Sequence, residues 1–391
     1  MNNIFKCFEK DIIEDYKNEQ KKENENNESK VVKTIFKIIE KTDYLRKGAF
    51  GLVRKVIFKD KIYAAKLIEI TDNKYESDKV TEFRGPGIVK VIKTVKRSYD
   101  DKEYCLIIME NAKLKSLGEV IPLLRDNLCN LIFKNPFDYV GENLLRFFTK
   151  QLIQGLEIFN RNSFQHFDIK PANILIFENV VLKFADFGLL RDINEIKDEN
   201  NQVRIPGGTP GYLSPEYYLG TVDIKDAIKQ DYFALGAVIY YMKYGEKMLN
   251  YNEYKKLNDE ETDDQVCYIN ASILIDLLEK VMDKIKSDKS SNEDFIKFLC
   301  SLIHYKPEER PSFDEIYKNK WVNKNFDEIN TISEVNNIFK EAKILLEINK
   351  SDYLINKRDY IYKKREKENI SNSKKNKLNK HKFLFKPKKK N

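Results

Sequence analysis

Cysteine is scarce in this chain: five in 391 residues, at positions 7, 105, 129, 267 and 300, with no C-x-x-C pair among them. That usage excludes a disulfide-stapled framework, and no secretory leader precedes it. The expected compartment is therefore reducing and intracellular, cytoplasmic or nuclear. Long apolar runs are missing too. The longest, Tyr232 to Met242, is far short of the ~20 residues a membrane-spanning helix needs, so no transmembrane segment is expected. No internal repeat is visible, and the length is enough for two or three domains. The formal net charge is +8, but residues 357–391 alone carry 15 Lys/Arg against 3 Asp/Glu, a local +12 that leaves about −4 for the remainder.

Patterning divides the chain further. Residues 1–40 are charged and Asn-rich up to about Lys30 and are expected to be largely disordered there, apart from an apolar patch at Ile4 to Phe8. Residues 41–112 alternate like a small sheet with one helix. From 113 the periodicity is mostly helical, with Leu145, Phe148, Leu152, Leu156 and Phe159 on one helix face. Ser291-Asn292-Glu293-Asp294 resembles a capping box ahead of a helix that buries Phe295, Phe298, Leu299 and Leu302, and Trp321 closes the domain. Val335, Ile338, Phe339, Ala342 and Leu346 make an amphipathic helix within 323–356 that could dock on the domain or on a partner. The basic run 357–391 reads as a solvated extension, or as a contact for an anionic membrane, a nucleic acid or an acidic protein.

The chemistry is concentrated at His166-Phe167-Asp168-Ile169-Lys170-Pro171-Ala172-Asn173, followed twelve residues later by Ala185-Asp186-Phe187-Gly188. Asp168 can accept a proton from a hydroxyl, and Lys170 can offset charge on a moving phosphate. Asn173 and Asp186 offer hard oxygens suited to Mg²⁺. This order and spacing resembles the catalytic loop and D-F-G motif of protein kinases, and the chain is identified as a member of the eukaryotic protein kinase superfamily, serine/threonine type. The resemblance implies an α+β, two-lobed kinase fold: a β-rich N-lobe with one main helix at 41–112 and a mostly helical C-lobe at 113–322. It also implies ATP as phosphate donor, with Mg²⁺ or Mn²⁺.

Upstream, Leu45-Arg46-Lys47-Gly48-Ala49-Phe50-Gly51-Leu52-Val53 resembles the family's Gly-rich loop, with Arg46 where the first Gly belongs. Lys66, within Ile62-Tyr63-Ala64-Ala65-Lys66, matches the Lys that holds the α- and β-phosphates. Its carboxylate partner is Glu76 or Glu82. Counting back nine residues from the turn Gly85-Pro86-Gly87-Ile88-Val89 selects Glu76, which puts Val80 and Phe83 on the inward face. Cys105 to Ala112 resembles the strand that enters the hinge. Met109 would be the gatekeeper, and Glu110 and Ala112 would contact adenine through their main chains, so that their side chains matter little. Val53, Ala64 and Leu175 would sandwich the base.

Downstream, Gly207-Gly208-Thr209-Pro210-Gly211-Tyr212-Leu213-Ser214-Pro215-Glu216 resembles the end of the activation segment, with Ser214 in place of Ala. Asp231 matches the Asp that holds the catalytic-loop backbone, and Arg310 the Arg that pairs with Glu216; Thr209 matches the Thr that bonds Asp168 and Lys170. Two departures stand out. Phe167 replaces the Arg that receives an activating phosphate, and Leu189 to Gly208 contains no Ser, Thr or Tyr. Receptor and acceptor are absent together, so activity without activation-loop phosphorylation is expected.

The acceptor implied by Asp168-x-Lys170-Pro171-x-Asn173 is a protein Ser or Thr hydroxyl. The alternative is a pseudokinase scaffold, supported by Arg46 and Phe167 and opposed by the presence of Lys66, Asp168, Asn173 and Asp186 together. A small-molecule kinase is disfavoured by the complete Gly207–Glu216 segment.

Overall fold

Between Gly51 and Glu110 β-branched and aromatic residues recur while Gly, Asp and Pro punctuate them, a composition that favours strands. The computed structural model describes residues 7–8, 36–38, 46–48, 51–58, 61–70, 76, 79–81, 84–128, 141–249, 264–326, 330–333 and 336–337. The chain divides into two compact units, 1–335 and 336–391, and only the first is considered below. The expected helix built on Val335, Ile338, Phe339, Ala342 and Leu346 and the basic run 357–391 lie outside the described residues. So do Leu45, Ala49, Phe50, Glu82 and Phe83.

Strands β1 (Phe36–Ile38), β2 (Arg46–Gly48), β3 (Gly51–Phe58), β4 (Lys61–Glu69), β5 (Val91–Tyr99) and β6 (Lys102–Glu110) form one antiparallel sheet in the order β1-β3-β4-β6-β5, with β2 on the same edge of β3 as β1. Asp100 and Asp101, both with positive φ (51° and 60°), make the two-residue turn between β5 and β6. Register assigns the two faces. Val53, Lys66 and Ile107 share one row, and Ala64 and Met109 the next; Leu52, Leu67 and Leu106 point the other way, as do Ala65 and Ile108.

This second, outer face is apolar as well, so β4 and β6 run as continuous buried stretches rather than alternating ones. Phe8 covers it. Its ring is fully buried in a cluster with Leu52, Val56, Ala65, Leu67, Leu106 and Ile108, and meets Tyr99 edge-on at 5.3 Å. Part of the apolar patch at the chain start is thus a core element of the N-lobe.

The C-lobe is helical because its apolar residues recur at helical spacing. Helix α1 is Leu117–Leu128, and α2 (Glu142–Arg161) buries all five residues of its predicted face. After α2 the chain forms β7 (Phe164–Gln165), β8 (Ile174–Ile176), β9 (Leu182–Phe184) and β10 (Arg191–Asp192), then α3 (Ile193–Ile196), β11 (Gln202–Arg204) and β12 (Thr221–Asp223). Helix α4 (Gln230–Tyr244) is apolar all round and runs buried through the lobe, and α5 (Asp264–Lys286) and α6 (Glu293–Leu302) follow. The start of α6 differs from expectation. Asn292 alone caps it, accepting from Asp294 N–H at 2.9 Å, and the capping box belongs instead to Ser312 and Glu315 ahead of Phe313–Tyr317. Trp321 packs on Phe295 and Phe298 with centroids 4.9 and 5.9 Å away, and Arg146 Nε donates to its carbonyl at 2.8 Å, tying the lobe's end to α2. No helix among the described residues is long and apolar enough to cross a membrane.

Removing the buried ring of Phe8 leaves a cavity over a sheet that has no polar alternative to offer. Phe8→Ala is expected to lower the unfolding free energy by about 3–5 kcal/mol, read by chemical denaturation. A loss below about 1 kcal/mol would mean that the ring is not part of the core.

Candidate active site

The β2–β3 hairpin presents Gly48 opposite Gly51, with Arg46 opposite Val53 and Lys47 opposite Leu52. Gly51 has φ +128°, and a Cβ there would sit 2.4 Å from the Leu67 carbonyl oxygen, so no other residue fits. Below the hairpin, the inner sheet face carries Val53, Ala64, Lys66 and Met109. Met109, Ala112 and Leu175 pack against buried Val89, Phe177 and Ala185, closing the end of an apolar cleft. The side chain of Glu110 is not idle, contrary to expectation. Its Oε1 accepts from the Lys90 N–H at 2.7 Å and from Lys183 Nζ at 2.6 Å, which fastens the end of β6 to β9.

Lys66 is buried, and its ammonium lies between two carboxylates. It donates to Glu76 Oε1 and, at 2.7 Å, to Asp186 Oδ1. Burial alone would lower its pKa, but the charges of Glu76 and Asp186 outweigh that and hold it above the ordinary lysine value. Glu76, the carboxylate that spacing selected, lies at Lys66; Glu82 is outside the described residues. Asp186 has φ 68°, a left-handed conformation that a non-glycine residue keeps only where its surroundings enforce it.

Across the cleft, Asp168 is buried and its carboxylate is held by three donors. Thr209 Oγ1 donates to Oδ1 at 2.5 Å, while Lys170 Nζ and Asn173 Nδ2 donate to Oδ2 at 2.7 and 2.8 Å. Lys170 also donates to Thr209, and Asn173 Nδ2 reaches the Asp168 carbonyl at 2.9 Å. The short helical turn Pro171–Asn173 makes this possible, because it brings Asn173 back over the residue five positions earlier. Positive charge, a hydroxyl and an amide thus fix one carboxylate rotamer.

The loop itself hangs on Asp231. Its two oxygens accept from the backbone N–H groups of His166 (2.6 Å) and Phe167 (3.0 Å). Burial pushes the carboxyl up to about 7, against those two N–H donors, which favour the ionised form. The ring of His166 was not singled out by sequence. Its Nδ1 accepts from the Asp168 N–H (3.3 Å), its Nε2 faces the Ala185 carbonyl at 3.2 Å, and it packs among Phe159, Phe184 and Phe187 with centroids 5.6–5.9 Å away. Nε2 therefore carries the proton. Burial lowers the pKa of this ring, and the carboxylates of Asp168 and Asp186 only partly oppose that.

Farther from the cleft, Arg310 forms a bidentate pair with Glu216, one arm at 2.8 Å, both side chains buried. Arg310 Nε donates to the His304 carbonyl at 2.7 Å, and Lys229 Nζ reaches the Arg310 carbonyl at 2.7 Å. Gln230 is the second residue that sequence passed over. Its Oε1 accepts from both N–H (2.9 Å) and hydroxyl (2.6 Å) of Ser214, while its Nε2 donates to the Tyr212 carbonyl at 2.9 Å. The replacement of Ala by Ser at 214 was the visible hint, since a buried hydroxyl needs a partner.

The family model described as protein kinase domain matches residues 39–322, and the chain belongs to that family. Its fold is the two-lobed kinase fold. Among curated relatives, serine/threonine-protein kinase MRCK beta of Rattus norvegicus is 30% identical over 213 residues, covering 51% of this chain and 11% of that protein. Mitogen-activated protein kinase kinase kinase 2 of Arabidopsis thaliana is 26% identical over 286 residues, 72% of this chain and 40% of the other. Serine/threonine-protein kinase pakE of Dictyostelium discoideum is 22% identical over 347 residues, 82% and 34% respectively. The chain spans between a tenth and two fifths of the length of these relatives.

Two outcomes follow from the charges. Arg310→Ala strands a buried carboxylate and should cost about 3–5 kcal/mol of stability; Arg310→Lys should recover less than half, since an ammonium cannot make the bidentate pair. Denaturation of both variants beside Arg310→Met decides it, and full recovery by Lys would show that charge alone matters. For His166, a folded-state pKa below the ordinary 6.5 means that its contribution to stability is present above that value and is lost as pH falls toward the lower one. A nitrogen NMR titration should show this ring protonating below the ordinary value, with the neutral form carrying its proton on Nε2; protonation at or above the ordinary value would contradict the geometry.

Proposed function

We propose that the chain is a serine/threonine protein kinase, transferring the γ-phosphate of ATP to a protein hydroxyl, and that it does so without phosphate on its activation segment. The observation that carries this reading is the pair of facing constellations: Lys66 between Glu76 and Asp186, and Asp168 held by Lys170, Asn173 and Thr209. The serine/threonine names of the relatives support the same acceptor class. Each role is assigned by position and chemistry. Asp168 takes the hydroxyl proton, and Lys170 balances charge on the group in transit. Lys66, oriented by Glu76, holds the α- and β-phosphates under the hairpin of Arg46 to Val53. Val53, Ala64 and Leu175 flank the base, and the main chains of Glu110 and Ala112 bond its edge behind Met109.

The donor set suits a divalent cation shared with the nucleotide. Among the described residues no three His, Cys, Asp or Glu side chains converge on one point. Asp186 and Asn173 are the hard-oxygen ligands we assign to Mg²⁺, or Mn²⁺ in its place, with phosphate oxygens and water completing the shell. Bound there, the cation would neutralise charge that develops on the phosphates. Thr209, Glu216, Asp231 and Arg310 we read as positioning groups. The lobes are placed at 41–112 and 113–322, with 1–40, 323–356 and 357–391 as flanking segments. The last of these is read as a contact for an anionic membrane, a nucleic acid or an acidic protein, outside catalysis.

A radiolabelled ATP assay on a mixed peptide library tests this reading. Wild type should label Ser and Thr peptides, and Asp186→Ala should remove the signal with the fold retained, because Asp186 is a partly exposed cleft residue. Asp168→Asn should cost about 10²–10⁴ in kcat. Nucleotide binding without transfer by wild type would favour the pseudokinase scaffold.

A further inference from the structure

Phe167 occupies a place that its residue type does not favour. It has φ 57°, in the left-handed region where a bulky aromatic residue is a genuine outlier, and it is 1% exposed. Its backbone N–H is held by Asp231, and the next residue is Asp168. Its side chain points into a cluster with Ile193, Val203 and Ile205 from the activation segment and Ala227 and Tyr217 from beyond it. The segment that lacks any phosphate acceptor therefore supplies three of the apolar partners of the residue standing where a phosphate-binding Arg belongs.

The same segment is tied down by its main chain on both flanks of that cluster. On one side β10 pairs with β7, Arg191 opposite Gln165, and the Ile193 N–H donates to the Ser163 carbonyl at 2.9 Å. On the other, β11 pairs with β12, Val203 opposite Val222. The Asp198 side chain closes the turn between, accepting from Asn200 and Gln202 N–H at 2.8 Å each. At the segment's end, a Cβ on Gly208 would lie 2.9 Å from the Phe167 carbonyl oxygen, so the chain there touches the catalytic loop directly.

We propose that Phe167 is a positioning residue: it locks the activation segment onto the catalytic loop through an apolar cluster and so holds the acceptor platform and Asp168 in register with no phosphate present. The proposal rests on the kinase reading above for its catalytic consequence, though not for its structural one. An apolar lock differs from a phosphate–arginine lock in two measurable ways. It needs no modifying enzyme, and salt does not screen it. It also rejects charge. An Arg at 167 would carry its guanidinium into a cluster whose other buried members are Ile, Val and Ala side chains.

The test uses the full chain made in bacteria and treated with phosphatase, its unphosphorylated state checked by mass. Hydrogen exchange is followed over residues 189–208, together with steady-state kinetics in which peptide and ATP are varied separately. Slow exchange over 189–208 without nucleotide is expected, unchanged at high salt. Phe167→Leu should keep that protection. Phe167→Arg should speed exchange there at least tenfold and raise the peptide KM by a similar factor, with the KM for ATP within twofold. Val203→Thr, which keeps shape while adding a hydroxyl, should act in the same direction from the other side of the cluster and serves if Phe167→Arg does not fold. Free exchange in wild type, or protection unaltered by both Phe167→Arg and Val203→Thr, would overturn the proposal. If wild type transfers no phosphate at all, the kinase reading fails while the exchange data still decide the lock.

Discussion

Asp231 opens a helix buried on every side, and both of its oxygens are taken by the main-chain N–H groups of His166 and Phe167. Three consecutive residues take their places from that clamp. The imidazole of His166 is delivered to the aromatic stack beside Phe187, the ring of Phe167 to the activation segment, and the carboxylate of Asp168 to the cleft. A buried carboxyl is costly unless hydrogen bonds satisfy it, and here the satisfying groups are the backbone of the catalytic loop itself. The loop cannot relax without unpairing the acid, and the acid cannot ionise comfortably without the loop. Position and charge are thereby coupled.

The upper half of the site depends on the lower through Asp186. Lys66 belongs to the central strand of the sheet, Asp186 follows β9 in the C-lobe, and the 2.7 Å contact between them joins the two lobes across the cleft. Around it the main chains also cross-link, Phe184 N–H to the Gly87 carbonyl at 2.7 Å and Val89 N–H to the Phe184 carbonyl at 3.0 Å. The charged triad therefore sits beside main-chain cross-links rather than on loose side chains, which limits how far Lys66 and Asp186 can separate without breaking both.

Much of this was legible in the order of residues because chemistry of this kind needs particular groups at particular separations. Lys170 and Asn173 can serve one carboxylate only at +2 and +5, and a count of nine from the Gly85–Val89 turn was enough to choose Glu76, which lies at Lys66 in the structure. What escaped was set by long-range packing. Gln230 supports Ser214 across 16 positions, and Lys183 meets Glu110 across 73. Neither residue type announces such a partner. The burial of Phe8 was also out of reach, since a short apolar patch in a charged segment is informative only once the sheet face it covers is known.

That burial bears on where this kinase begins as a physical object. The family match starts at residue 39, yet the outer face of the sheet is completed by a ring 31 positions earlier. The matched segment and the unit that excludes water from its core do not coincide. A fragment cut at the family boundary would carry an oily patch directly behind the strand that bears Lys66, with stickiness and a softened N-lobe as consequences.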